Sequence, residues 1–295
     1  MISNRAIDRL LDAAAWPELD ARYSVTGVAG HGGMGTVYVA RDHVLERDVA
    51  VKVLDIADRQ GSRAARLQNE ARILARLDHP GIVPIHDAGS LPDGRAFYVM
   101  KLVRGHRLDD LSTRSPLADR LNAFGRVLDA VAFAHAHSVV HRDLKPENVM
   151  VGGFGEVYVM DWGVAQDDRS DMERAIVGTP GYMPPEQEQV GERVDGRADV
   201  FALGNMLAYL AGDDAPPALR AIADKARAPD AGARYPDVAA LAADLASFRN
   251  QDRVEAYRET VTERAVRLYR RYELPILLLL AYVVMRFALL VWRGI

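Results

Sequence analysis

The chain has 295 residues, 49 % of them hydrophobic, with a formal charge of −4 and no cysteine. That length is too great for one small domain and suits a two-lobed unit with an appendage. The balanced charge argues against a polybasic nucleic-acid binder, and the missing cysteines exclude a disulfide framework, thiolate chemistry and a Cys-based zinc site.

Residues 1–22 are a polar, Ala-rich lead in which Ile7, Leu10, Leu11 and Ala14 have amphipathic spacing. They contain no apolar h-region, so no signal peptide is expected. From Tyr23 to about Leu102 strand signals dominate: 36–40, 48–54 and 96–102 are rich in β-branched and aromatic residues. One helical stretch interrupts them at 62–77, where Ala65, Ile73, Leu74 and Leu77 recur at helical spacing. From about Leu108 to Phe248 the pattern is mostly helical. A strand-rich half followed by a helical half predicts an α+β chain.

The first motif, Gly30-His31-Gly32-Gly33-Met34-Gly35-Thr36-Val37, fits G-x-G-x-x-G-x-V. These glycines would also suit a dinucleotide-binding turn, but that turn must open a helix and 36–40 is strand-like. A glycine-rich hairpin instead lets backbone amides approach triphosphate oxygens; a purely structural turn is the bland alternative. Val49-Ala50-Val51-Lys52 ends an apolar strand in a charge that needs a buried partner. Glu70 on the next helix is the natural one, against the plain reading of a solvated helix face. Lysine occurs only at Lys52, Lys101, Lys145 and Lys225, every other basic residue being Arg. A Lys can therefore mark a place where a compact ammonium is wanted, although codon bias explains Lys225.

The most informative run is His141-Arg142-Asp143-Leu144-Lys145-Pro146-Glu147-Asn148. On one loop, an Asp can accept a hydroxyl proton, a Lys can neutralise a phosphate and an Asn can hold a divalent metal. Further on, Asp161-Trp162-Gly163 adds a second metal-binding candidate. His135, His137 and His141 are close enough to suggest a metal site, but without Cys, and with His141 inside the loop, packing roles are favoured. The P-loop pattern is absent.

These motifs resemble the bacterial eukaryotic-type (Hanks-type, PknB-like) serine/threonine protein kinases, over roughly residues 23–250. The resemblance implies a bilobal fold, ATP and Mg²⁺ (or Mn²⁺) as cofactors, and protein substrates that the sequence does not identify. It implies Asp143 as catalytic base, Lys145 on the transferred phosphate, Asn148 and Asp161 on the metal, and a Lys52–Glu70 ion pair. Gly30, His31, Gly32, Gly33, Met34, Gly35, Val37 and Ala50 would surround the nucleotide. Within 97–105, Met100 would guard the rear of the adenine pocket, and backbone groups of Lys101 and Val103 would read the adenine edge. Lys145 together with Thr179, in Gly178-Thr179-Pro180, resembles serine/threonine rather than tyrosine kinases. Glu186, in Met183-Pro184-Pro185-Glu186, would pair with Arg234, and Asp199 would hold the catalytic-loop backbone from the first turn of its helix.

The chain departs from the family pattern in three places. Trp162 stands where the family has Phe. Only residues 211–217 separate two helical stretches, 200–210 and 218–227, where relatives carry an extra helix that often docks substrates. Ser170 is the only hydroxyl between Asp161 and Thr179. Arg142 implies a pocket for a phosphate on that segment, so either phospho-Ser170 fills it or Asp167, Asp168, Asp171 and Glu173 supply the charge. Two other classes are weighed. A pseudokinase scaffold is disfavoured because Lys52, Asp143, Asn148 and Asp161 are all present. A kinase-fold enzyme acting on small molecules is disfavoured by the full activation segment.

Beyond the domain, 250–272 carries Val254, Tyr257, Val261, Ala265, Leu268 and Tyr272 at steps of three and four, with Arg264, Arg267, Arg270 and Arg271 in its second half. Residues 274–292 are apolar apart from Arg286, and at 1.5 Å per residue cover about 28 Å, enough to span a bilayer. The expected organisation is a lead (1–22), a kinase domain (23–250, lobes 23–103 and 104–250), a basic amphipathic helix (251–273) and a transmembrane helix (274–292). The Arg cluster would keep the catalytic domain on the cytoplasmic side of the inner membrane. In-plane binding and protein packing are the alternatives for 274–292, and the 250–272 stripe suggests pairing with a second copy. With three residues after Trp292, the anchor is expected to end the protein, and control to act from the cytoplasm, the membrane or partners.

Overall fold

The computed structural model describes residues 16–32, 35–54, 62–112, 115–162, 166–167, 179–187 and 194–293. Strands β1 (Tyr23–Gly32), β2 (Gly35–Asp42), β3 (Arg47–Val53), β4 (Ile85–Ser90) and β5 (Ala96–Lys101) form one antiparallel sheet in the order β1-β2-β3-β5-β4, with helix α1 (Ser62–Arg76) between β3 and β4 in sequence. The strands and helix expected at 36–40, 48–54, 96–102 and 62–77 are all present. The period of two sorts side chains between two cores. Val49, Val51 and Val53 join Tyr23, Tyr38 and Val99 on one face, whereas Ala50, Tyr98 and Met100 face the core that contains Leu67, Ile73 and Leu74 of α1. Lys52 alternates with Val51 and Val53 and so lies on the α1 side.

The open end of the sheet is pinned by Asp42, whose fully buried carboxylate accepts from Arg22 Nε and Nη2 at 3.0 and 2.9 Å and from the amides of Val44 and Leu45. The Arg22 bonds, with the two amides, hold the Asp42 pKa well below the usual carboxylate range even against burial.

Residues 102–104 lead into a helical lobe. It begins with β6 (Gly105–Arg107), α2 (Leu108–Ser112) and α3 (Leu117–Ala136), followed by β7 (Val139–Val140), β8 (Val149–Gly152), β9 (Val157–Val159) and β10 (Gln166–Asp167). Strands β6, β8 and β9 make a small sheet, and β7 pairs with β10. Then come α4 (Arg197–Ala211), α5 (Pro217–Ala226) and α6 (Val238–Arg249). Phe124, Leu128 and Val131 of α3 and Leu203, Met206 and Leu207 of α4 are fully buried and form the centre of this lobe. The short α4–α5 connection is real: Gly212, at φ +73°, ends α4, and Pro217 opens α5. Gly204 lets the two helices touch, since a Cβ there would lie 2.7 Å from that of Ala226.

The tail differs from expectation. The helix expected over 251–273 begins only at Val261, as α7 (Val261–Arg271). Asp244 on α6 explains the delay, because its buried carboxylate accepts from the amides of Glu255 and Ala256 at 2.6 and 3.0 Å and from Tyr235 OH at 2.6 Å. Those bonds strap the segment to the helical lobe and bury Val254, so the apolar stripe is broken before the helix starts. A capping box then opens α7: Thr260 Oγ1 accepts from the Glu263 amide and Glu263 Oε2 from the Thr260 amide. Helix α8 (Glu273–Arg293) follows, with Leu278 and Trp292 70 % and 77 % exposed. Among the described residues no helix is long and apolar enough to cross a membrane. The span expected at 274–292 is thus without support among the described residues, where α8 presents exposed apolar side chains.

Candidate active site

A cleft of 560 Å³ lies between the lobes. Its roof is the β1–β2 hairpin, where Gly30, His31, Gly35 and Val37 line it. Gly35 is required there, since at φ +155° an added Cβ would sit 2.1 Å from the Val53 carbonyl oxygen. His31 Nδ1 and Thr36 Oγ1 are 3.0 Å apart across the hairpin. Gly32 ends β1, and Gly33 and Met34 lie outside the described residues. Ala50, Met100, Lys101 and Val103 line the inner wall, with Met100 buried beside Ala50 on the neighbouring strand. The Lys101 amide donates to Pro84 O at 3.1 Å, so an adenine contact from that residue falls to its carbonyl.

The strand–helix ion pair is formed. Lys52 Nζ donates to Glu70 Oε1 and Oε2 at 2.9 and 3.1 Å and to Asp161 Oδ1 at 2.9 Å, using all three of its protons. Burial alone would lower the Lys52 pKa, but Tyr98, Glu70 and Asp161 outweigh it and hold the ammonium well above its ordinary range. Burial likewise raises Glu70, opposed by Lys52. Asp161 also loses solvent, yet Lys52 keeps its pKa below the usual carboxylate value.

The catalytic loop is held from behind. Asp199 on α4 is fully buried and accepts from the His141 and Arg142 amides, both at 2.8 Å, while His135 Nε2 lies 2.7 Å from Oδ2. Burial pushes the Asp199 pKa up, and the His135 contact and the loop amides bring it below the usual value. His141 donates from Nε2 to Met160 O, accepts the Asp143 amide at Nδ1, and lies 4.6 Å from the Trp162 ring. Trp162 is buried and its indole N–H reaches Val159 O at 3.1 Å, so the larger ring fits with its donor satisfied.

In front, Thr179 Oγ1 donates to Asp143 Oδ1 at 2.7 Å and accepts from Lys145 Nζ at 2.7 Å. Asn148 Nδ2 donates to the Asp143 carbonyl and to Oδ2 at 2.8 and 3.2 Å. That orientation leaves the amide oxygen of Asn148, with Asp161 Oδ2, to offer hard oxygen ligands on the cleft wall. These would suit a hard divalent cation. Among the described residues no three His, Cys, Asp or Glu side chains could hold a metal alone, and the three histidines near the loop have packing and hydrogen-bonding roles.

Arg234 uses every N–H it has: Nη1 and Nη2 grip Glu186 at 2.6 and 2.8 Å, and the rest reach the carbonyls of Ala228, Arg197 and Pro229. Gln187 Nε2 donates to the Arg142 carbonyl. The end of the activation segment is therefore tied to both the helical lobe and the catalytic loop. Ser170 lies outside the described residues.

The comparisons agree with this geometry. The protein kinase domain family matches residues 23–229. The chain belongs to that family. It is 41 % identical over 202 residues to serine/threonine-protein kinase PknB of Mycolicibacterium smegmatis, covering 64 % of this chain and 32 % of that protein. It is 40 % identical over 201 residues to the DNA damage-responsive serine/threonine-protein kinase RqkA of Deinococcus radiodurans, covering 64 % and 29 %. The crystal structure of the Mycobacterium tuberculosis PknI kinase domain superposes with a TM-score of 0.61 at 27 % identity, over 78 % of this chain and 97 % of that one. The chain spans about a third of the length of the curated relatives named here.

Sequence reasoning missed two residues of this kinase site. Tyr98 donates to Glu70 Oε1 at 2.9 Å, and its only signal was an aromatic in a strand. His135, read as packing, contacts Asp199; its position on the last turn of α3, ahead of the catalytic loop, was the available hint.

Proposed function

We propose that the protein is an ATP-dependent serine/threonine protein kinase. The observation that carries this is the hydroxyl of Thr179 seated between Asp143 and Lys145. An alcohol there donates its proton to a carboxylate while an ammonium faces its oxygen, the arrangement an acceptor Ser or Thr needs. In that reaction Asp143 takes the hydroxyl proton as the oxygen bonds to the γ-phosphorus and the bridging P–O bond to ADP breaks. Lys145 would offset charge on the transferred group, Lys52 would hold the nucleotide phosphates, and Asn148 with Asp161 would hold a divalent metal that neutralises phosphate charge. The hydroxyl chemistry is tested with labelled ATP, Mg²⁺ and a protein mixture, with products resolved as phosphoamino acids. Phosphoserine or phosphothreonine is expected; label confined to phosphotyrosine or to small alcohols would overturn the reading.

The C-terminal helices are proposed to hold this domain at the cytoplasmic face of a membrane. The exposed Leu277–Leu280 run of α8 and the arginines of the preceding helix support that placement. The full chain should float with phosphatidylglycerol-containing vesicles, and a chain ending at residue 260 should not. Equal flotation of both, or of neither, would refute it.

A further inference from the structure

Tyr98 and Lys52 are directly opposite on β5 and β3, so their side chains share the face covered by α1. The ring lies under the ammonium, with Nζ 5.8 Å from its centroid, while the hydroxyl reaches past it to Glu70 Oε1 at 2.9 Å. Tyr98 thus touches both members of the pair, and all three side chains are buried. Glu70 Oε1 holds two donors, Lys52 and Tyr98.

The two donors differ in what the reaction asks of them. Lys52 spends its three protons on Glu70 and Asp161. When Lys52 turns any of them to a nucleotide phosphate, the buried Glu70 carboxylate loses part of its compensation. An under-satisfied buried carboxylate is costly and would favour α1 swinging outward. Tyr98 has no such competing duty, and burial keeps its hydroxyl protonated, its pKa well above the usual phenol value.

We propose that Tyr98 is a positioning residue for phosphoryl transfer: its hydroxyl retains Glu70, and with it helix α1, at the Lys52 site while Lys52 serves the nucleotide. It acts through Glu70 and touches no reacting atom. The α1 arrangement then has a support in the sheet itself, independent of any phosphate on the activation segment. This assignment deepens the kinase reading and rests on it.

Tyr98→Phe removes one hydroxyl and keeps the ring. In the full chain, with ATP, Mg²⁺ and myelin basic protein as acceptor, kcat should fall about tenfold, the size of one hydrogen bond to a charged group. KM for ATP should stay within about twofold, because the hinge contacts that bind adenine are untouched. In a Glu70→Ala background, where the Tyr98 hydroxyl has no carboxylate to reach, the same change should cost less than about twofold. Equal losses in both backgrounds, or an unchanged kcat for Tyr98→Phe, would overturn the assignment. Hydrogen exchange of α1 amides tests it without turnover, and so separates its failure from failure of the kinase reading. Exchange should quicken in Tyr98→Phe but no further in the double variant than in Glu70→Ala. Unchanged α1 exchange in Tyr98→Phe would refute the role whether or not the wild type transfers phosphate.

Discussion

The cleft and the C-terminal helices are built on opposite terms. Around the catalytic loop and the strand–helix pair the buried charges are matched: Lys52 has three acceptors, Arg234 has five, and Asp199 holds two amides and a histidine. Helix α8 presents leucines and Trp292 outward. The contrast teaches where each region finds its stability. The strand–helix pair and the catalytic loop are fixed by directional bonds whose loss leaves a buried charge unpaired, whereas α8 leaves large apolar side chains exposed. The strap 254–256 on Asp244 joins the two.

The contrast is best broken at the ion pair. Lys52→Met should abolish measurable transfer and lower stability by about 3–5 kcal/mol, because Glu70 is left buried without its counter-charge; a kinase assay and denaturant melt check both. If the variant were as stable as wild type, the pair would not be the buried lock described. Next, Asp199→Asn should lower stability by about 1–3 kcal/mol and cut kcat, since the loop amides lose an ionised acceptor. An unchanged melting curve would mean that the loop is held by something else.

Acid titration gives a smaller, signed effect. The folded-state pKa values of Asp42, Asp161 and Asp199 all lie below the ordinary 3.8. Each carboxylate therefore adds stability that is complete above pH 3.8 and is lost as pH falls through its folded value, the unfolded chain binding more protons. Stability should drop below about pH 4, and less steeply in Asp42→Asn. A loss of stability above pH 5 with these carboxylates intact would contradict the ordering. The smallest effect belongs to α8. Leu278→Ser should leave kcat within about twofold and melting nearly unchanged, as for other exposed positions, while weakening vesicle binding.

The cleft was legible in the sequence wherever chemistry fixes a residue type. Asp143, Lys145, Asn148 and Asp161 are the residue types that the resemblance expects for phosphoryl transfer, and Glu70 was marked by the need of Lys52 for a partner. The fold class followed from strand and helix periodicities that local packing reinforces. Tyr98 was not legible, because its role exists only once β3 and β5 pair in one register, and a strand tyrosine has many ordinary explanations. The start of α7 was misread for a related reason. Periodicity favoured a helix from residue 250, but one buried side chain, Asp244, draws the 255–256 amides out of that path. A tertiary hydrogen bond overrode a local pattern.

The most direct test of the catalytic claim compares wild type with Asp143→Asn in the full chain, measuring Mg²⁺–ATP binding and mapping phosphate by mass spectrometry. The structure predicts similar nucleotide affinity for both and phosphorylated Ser or Thr only with the wild type. Nucleotide bound by both with phosphate on neither would contradict it, and would make the cleft a nucleotide-binding scaffold.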